Sequence, residues 1–162
     1  MNASLWDLPL GTFADDVAAR QPGPAGVATA AVAATLGVSL LMKMLKLRGQ
    51  QSGLIGAARE IASELRAAAD ADCAAIAASL HSPEAINVPL GAARAVIRAL
   101  DLCAEAAPLV SGLLAADLLA SRELLAGAGR AILACIQANL VKQPSPEVQA
   151  EVAALSARLA GF

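Results

Sequence analysis

The sequence predicts an all-α fold, an up-and-down-type bundle of about six helices forming one domain over residues 1–162. Three observations predict it. Alanine, the best helix former and a poor strand former, makes up about a quarter of the chain. Hydrophobic residues reach 57% and charged residues only 16%, enough for a core and far from the composition of a disordered chain. Proline and glycine clusters cut the chain into long apolar segments joined by short connections, the pattern of a bundle.

The helices follow from their punctuation. Thr12 is expected to cap a short first helix from Phe13 to Arg20, with Asp15 and Asp16 in its first turn. Gln21 to Gly26, rich in proline and glycine, breaks it. The second helix runs from Ala25 to Leu47, followed by a turn over Gly49 to Gly53. The third spans Ser52 to Leu80, with Arg59, Glu60, Glu64 and Arg66 on one side and Ala58, Ile61, Ala62 and Leu65 on the other. Ser82 and Pro83 carry a start signature, and a further break is expected at Val88-Pro89-Leu90. The fourth helix then reaches Ala107, where Pro108 interrupts. The fifth runs from Leu109 to Val141 with a bend near Gly112. Ser145-Pro146-Glu147 starts the last helix, which ends near Gly161.

Composition also bounds function. A net charge of −2 and 2% aromatics with no tyrosine leave neither a basic field nor stacking platforms, so no nucleic acid is expected as partner. The amino-terminus lacks the basic-then-apolar layout of a signal peptide, which points to a cytoplasmic protein. Cys73, Cys103 and Cys135 are widely spaced and odd in number, so they read as reduced core thiols. The longest uncharged run, Gln21 to Met42, holds a helical part of about 18 residues, short of the ~20 a bilayer needs. Its alanine, valine, glycine and threonine suit a central helix wrapped by others better than a membrane span.

Few residues could carry chemistry. His81 is the single histidine and sits in a turn; no metal-ligand spacing and no nucleotide-binding glycine motif occurs. Asp70 and Asp72 interrupt an apolar stretch. Two residues apart on a helix, they face differently, so either one points into packed neighbours or both lie on a broad polar face. A buried carboxyl is a candidate general acid or base. The Pro24-Ala25-Gly26 turn feeds a helix amino-terminus that attracts anions, or it is a plain connector. Asp117 is a lone charge among leucines, or a helix cap.

In chain order these features resemble the cyclodeaminase domain of formiminotransferase-cyclodeaminase and the related bacterial methenyltetrahydrofolate cyclohydrolases. That family has a short helix, a Pro-x-Pro-Gly-Gly-Gly-Ser turn and a small-residue helix. Here Pro22-Gly23-Pro24-Ala25-Gly26-Val27-Ala28 stands at the turn and Ala34-Thr35-Leu36-Gly37 within the helix. Asp72 stands four residues before Ile76, where the family has an Asp before a Phe. Val88-Pro89-Leu90 recurs, and Asp117, Arg130 and Asn139 match the closing signature. The resemblance implies an all-helical homodimer acting on one-carbon tetrahydrofolates without a metal. Either formiminotetrahydrofolate closes with loss of ammonia, or methenyl- and formyl-tetrahydrofolate interconvert. It implies Asp72 as general acid/base, Asp70 at the surface, and Pro24, Gly26, Arg48, Asp117 and Asn139 around the folate or pterin.

This chain departs from the family at Ala25-Gly26-Val27-Ala28, at Arg48-Gly49-Gln50-Gln51-Ser52 where lysines are usual, and at Ala116 and Cys135, which replace a serine and an asparagine. Each change removes polar contacts. The alternative expectation is therefore a catalytically inactive relative, a dimeric helical module that binds a ligand or a protein.

Overall fold

The computed structural model describes residues 4–20, 23–49, 52–79 and 82–162. A 3-10 turn at Leu5–Asp7 precedes α1 (Leu10–Ala18), α2 (Gly26–Leu47), α3 (Ser52–Ala78) and α4 (Glu84–Ala106). A second 3-10 turn at Ala107–Leu109 leads to α5 (Leu113–Leu140) and α6 (Pro146–Leu159). The described residues hold six α-helices and no strand, the expected all-α bundle.

Helices α2 to α5 form a ring in which each packs against the next and α5 closes back onto α2. Every neighbour runs antiparallel. Asp72 of α3 bonds the first turn of α2, and Arg98 of α4 pairs with Glu64 of α3. Along the α2–α5 seam, Gly26 meets Cys135, Gly37 meets Ser121, and Lys43 meets Asp117. Helix α6 lies against α4 and α5, fastened by the Arg94–Glu151 and Arg158–Asp101 ion pairs.

Small residues set the spacing. A Cβ at Gly129 would lie 3.0 Å from Leu159 and 3.1 Å from Val96, so the missing side chain lets α4, α5 and α6 converge. Large side chains fill the middle: Leu41, Met44, Leu65, Leu100, Leu125 and Ile132 are fully enclosed. Ser121, also enclosed, donates to the Gly37 carbonyl at 2.8 Å and touches the Cys103 sulfur at 3.6 Å.

Helix α2 is long and apolar enough to cross a membrane by length and composition alone, with a mean hydropathy of 1.7 over its most apolar window. It packs between α3 and α5, but it is not wrapped on every face. Leu36 remains 53% exposed on the side turned away from the ring.

Several boundaries differ from the sequence expectation. Helix α1 starts after Pro9, whose fixed φ suits a helix entry, so Thr12 lies inside the helix and caps nothing. Asp15 and Asp16 then fall in its later half, where the helix dipole disfavours them. Pro89 does not break the chain; it sits within α4. Ser82 makes no capping bond, whereas Ser145 accepts from the Val148 amide at 3.4 Å as expected. Helix α5 begins at Leu113 rather than Leu109. Gly112 precedes it with φ +60°, a conformation that stops the chain from running on from Pro108.

Candidate functional site at the start of α2

Three helices meet where α2 begins. The first amides of a helix have no acceptor within it, and Ala25 before α2 supplies no side-chain cap. The missing acceptor comes from α3. The Ala28 N–H donates to Asp72 Oδ2 at 3.1 Å. Asp72 is 5% exposed, and its neighbour Asp70 faces elsewhere, as the spacing required. Burial pushes the Asp72 carboxyl above its ordinary range, and the Ala28 hydrogen bond offsets part of that rise.

Helix α5 forms the other wall of this corner. A Cβ at Gly26 would stand 2.8 Å from Cys135 Sγ, so glycine is what allows α2 to start against α5. The Cys135 thiol is pushed up by burial and then by the Asp72 charge. Cys73, next to Asp72 on α3, is pushed up to about 11 by burial and then by Asp72 and Asp70. Both thiols are therefore protonated at neutral pH and are poor nucleophiles. The described cysteines are free, as expected.

A groove of about 450 Å³ opens beside this corner. Pro24, Gly26, Thr29 and Ala33 line one wall, and Gly127 and Ala131 of α5 line the other. The walls carry no charged side chain, and Asp72 is not among them. Thr29 Oγ1 is buried there without a hydrogen-bond partner among the described residues. The groove offers an apolar contact surface and one free hydroxyl that can hydrogen-bond a polar atom of a ligand.

The remaining expected site residues divide between the two ends of α2. Asn139 lies one turn beyond Cys135 on α5 and donates from Nδ2 to the Ala85 carbonyl at 2.8 Å. Arg48 and Asp117 lie at the far end. Arg48 donates to Ser111 Oγ at 2.9 Å, and Asp117 pairs with Lys43 at 3.4 Å. Fifteen helical residues separate Ala28 from Lys43, a rise of about 22 Å. One chain therefore gathers Pro24, Gly26 and Asp72 in one corner, with Asn139 nearby, and leaves Arg48 and Asp117 outside it. Arg130 lines a separate hollow against Ser156 and Leu159 of α6. His81, Pro22, Gln50 and Gln51 lie outside the described residues. Among the described residues no group of three or more His, Cys, Asp and Glu side chains is placed to hold a metal.

Asp70 has a role that the sequence did not suggest. It accepts from Ser4 Oγ at 2.7 Å and from the Leu5 amide at 2.9 Å, and so ties the amino-terminal turn to α3. Trp6 completes the tie. Its Nε1 donates to the Arg66 carbonyl at 3.2 Å, and the Arg66 guanidinium lies 4.7 Å above its ring. The partners are sixty or more residues apart in the chain, so no local pattern announces them.

No protein-family model and no curated protein sequence matches the chain. Its structure is similar to that of formiminotetrahydrofolate cyclodeaminase from Thermotoga maritima, with a TM-score of 0.76 and 22% identity. The match covers 97% of this chain and 92% of that one. A likeness of that extent at that identity establishes the fold: the chain is a cyclodeaminase-like helical bundle.

Proposed function

We propose that the protein binds a one-carbon-substituted reduced folate or a related pterin at the start of α2, and that Asp72 is its general acid/base. The observation that carries this reading is the position of Asp72. A buried carboxyl with a raised pKa sits against a helix amino-terminus, bonded to Ala28 beside Thr29, whose unsatisfied hydroxyl lines an apolar groove. The neighbour's activity on formiminotetrahydrofolate points to the same ligand class.

In this reading the folate ring system lies along Pro24 and Gly26, with its one-carbon unit toward the first turn of α2. Asn139 lies near that end, whereas Arg48 and Asp117 stand at the opposite end of α2, outside the corner; none of them moves a proton. Closure of a formimino group expels ammonia, and opening of a methenyl bridge consumes water. Closure needs a proton taken from the attacking nitrogen and one given to the departing amine; opening needs a proton taken from the attacking water and one given to the nitrogen that leaves the bridge. A carboxyl held above its ordinary range keeps its proton more readily and can both give and take one at the reacting unit. No metal is required for either step.

One observation favours a second reading, a non-catalytic module of the same fold. Asp72 already serves the Ala28 amide and is almost closed to solvent. It would then be only the cap that α2 lacks in its own sequence.

Titration calorimetry with 5-formyltetrahydrofolate, followed by hydrolysis of methenyltetrahydrofolate monitored by absorbance, tests the proposal. Binding with turnover that is lost in Asp72→Asn supports it. Binding with no turnover in either protein supports the module instead.

A further inference from the structure

Two hollows lie side by side on the outer surface of α5. The groove at the start of α2 has Gly127 and Ala131 on its α5 wall. The other hollow, of about 300 Å³, opens between α5 and α6, with Arg130 and Ala134 on its α5 wall and Ser156 and Leu159 across from them. Residues three apart on a helix are surface neighbours, with ~5–6 Å between their Cβ positions. Gly127 stands three before Arg130, and Ala131 three before Ala134, so the two walls are adjacent rows of one helix face. All four residues are exposed. Apart from Arg130, the ridge between the hollows carries no side chain longer than a methyl, and a Cβ at Gly127 would meet nothing within 4 Å.

Arg130 is the cation of this surface. Among the described residues no charged side chain lines the groove, and no other charged side chain lines the hollow. Arg130 pairs with no carboxylate among the described residues, since Glu151 of α6 is held by Arg94 and Asp101 of α4 by Arg158. Gln137, two turns further along α5, adds an amide donor to the same hollow. A negatively charged group leaving the groove in another direction meets less favourable charge. Val17 lines the groove from α1, with Asp15 and Asp16 beside it, and Arg20 beyond it lines neither hollow. Lys43, Lys46 and Arg48 stand at least about 22 Å from Ala28 along α2.

We propose that Arg130 binds a carboxylate of the ligand seated in the groove, so that groove and hollow form one extended site crossing α5. The inference rests on the folate reading above. A folate carries, on a nitrogen beside its one-carbon unit, an aromatic arm that ends in a glutamate. With the one-carbon unit toward the first turn of α2, the arm crosses the low ridge at Gly127 and Ala131, and its glutamate enters the hollow. The planar guanidinium meets a carboxylate with two parallel N–H···O bonds, a match that a point charge does not give. A reduced pterin without the arm fills the groove and leaves Arg130 unused. The site therefore selects the tailed molecule, and Arg130 is its specificity-determining residue.

Titration calorimetry of the full chain with 5-formyltetrahydrofolate and with its glutamate dimethyl ester tests the proposal, because the ester keeps the arm and removes its charge. The wild type is expected to bind the acid about tenfold more tightly than the ester, the effect of a hydrogen bond to a charged group. Arg130→Gln is expected to bind the two alike, at the affinity of the ester, with its helical circular dichroism unchanged. Arg130→Lys keeps the charge without the paired geometry and is expected to fall between them. Added salt should narrow the difference in the wild type and leave Arg130→Gln as it was. A wild type that binds acid and ester alike overturns the proposal and leaves the folate reading intact. A preference for the acid that persists in Arg130→Gln does the same. A wild type that binds neither compound overturns both.

Discussion

Asn139 supplies the hydrogen bond that Pro89 withholds. Within α4 the amide of residue 89 would donate to the Ala85 carbonyl, but proline has no N–H. Asn139 Nδ2, from α5, donates to that carbonyl at 2.8 Å instead. A proline inside a helix and an asparagine fifty residues later are thus one structural unit. The unit also fixes the end of α5 that carries Cys135 against the start of α4.

Asn139→Ala should therefore cost about 1–3 kcal/mol, the usual cost of leaving a buried polar group unpaired. Pro89→Ala restores the helical donor. The Pro89→Ala/Asn139→Ala double variant should be more stable than the sum of the two single changes implies. Urea unfolding of the four proteins gives the coupling energy. Strict additivity would show that the two residues act independently.

Asp72→Asn should alter the pH dependence of stability. The folded-state pKa lies above 3.8, its ordinary value, so the folded protein binds the proton more tightly than the unfolded chain. Its contribution to stability is complete below that value and is lost as pH rises through the raised folded pKa. Thermal unfolding of the wild type should thus show a loss from about pH 4 upward that Asp72→Asn lacks. At pH 7 the variant should melt at the same temperature or higher, since Asn can still accept from the Ala28 amide. A variant that melts well below the wild type at pH 7 would reverse the assigned sign.

Gly112, just before α5, and Gly127, within it, should behave in opposite ways. Gly112 holds φ +60°, so Gly112→Ala should destabilise by about 1–2 kcal/mol. A Cβ at Gly127 meets nothing within 4 Å, and alanine there should stabilise the helix by up to ~1 kcal/mol. The same unfolding titrations measure both. The sequence suggests only a mild bend at Gly112, where substitution would cost little, because a positive φ is not written in composition or spacing.

Asp70→Ala should release the amino-terminal turn and leave the bundle intact. Limited proteolysis should cut the variant near Leu5–Asp7 faster than the wild type, with little change in the melting temperature.

These cases show what can be read from the chain alone. The helical class, the long α2, the Ser145 cap and the different facings of Asp70 and Asp72 were legible because they depend on periodicity and local punctuation; that Asp72 is the one turned inward was implied only by the family resemblance. Pro89 misled because its cost is met by a residue from another helix. Thr12 misled because Pro9 already starts α1. The ties of Asp70 to Ser4 and of Asp72 to Ala28 join segments over forty residues apart, so only the packed bundle reveals them. The same holds for Arg48 and Asp117. Sequence order gave no hint that they stand at the opposite end of α2 from Asp72.

The central claim is that Asp72 serves a bound folate and does more than cap a helix. The most direct test is methenyltetrahydrofolate turnover by the wild type and by Asp72→Asn, at a concentration where calorimetry shows both to be saturated with ligand. The account predicts turnover by the wild type and a loss of at least a hundredfold in the variant, the lower end for removing a general acid or base. Equal rates in the two proteins, or no turnover in either, would contradict it.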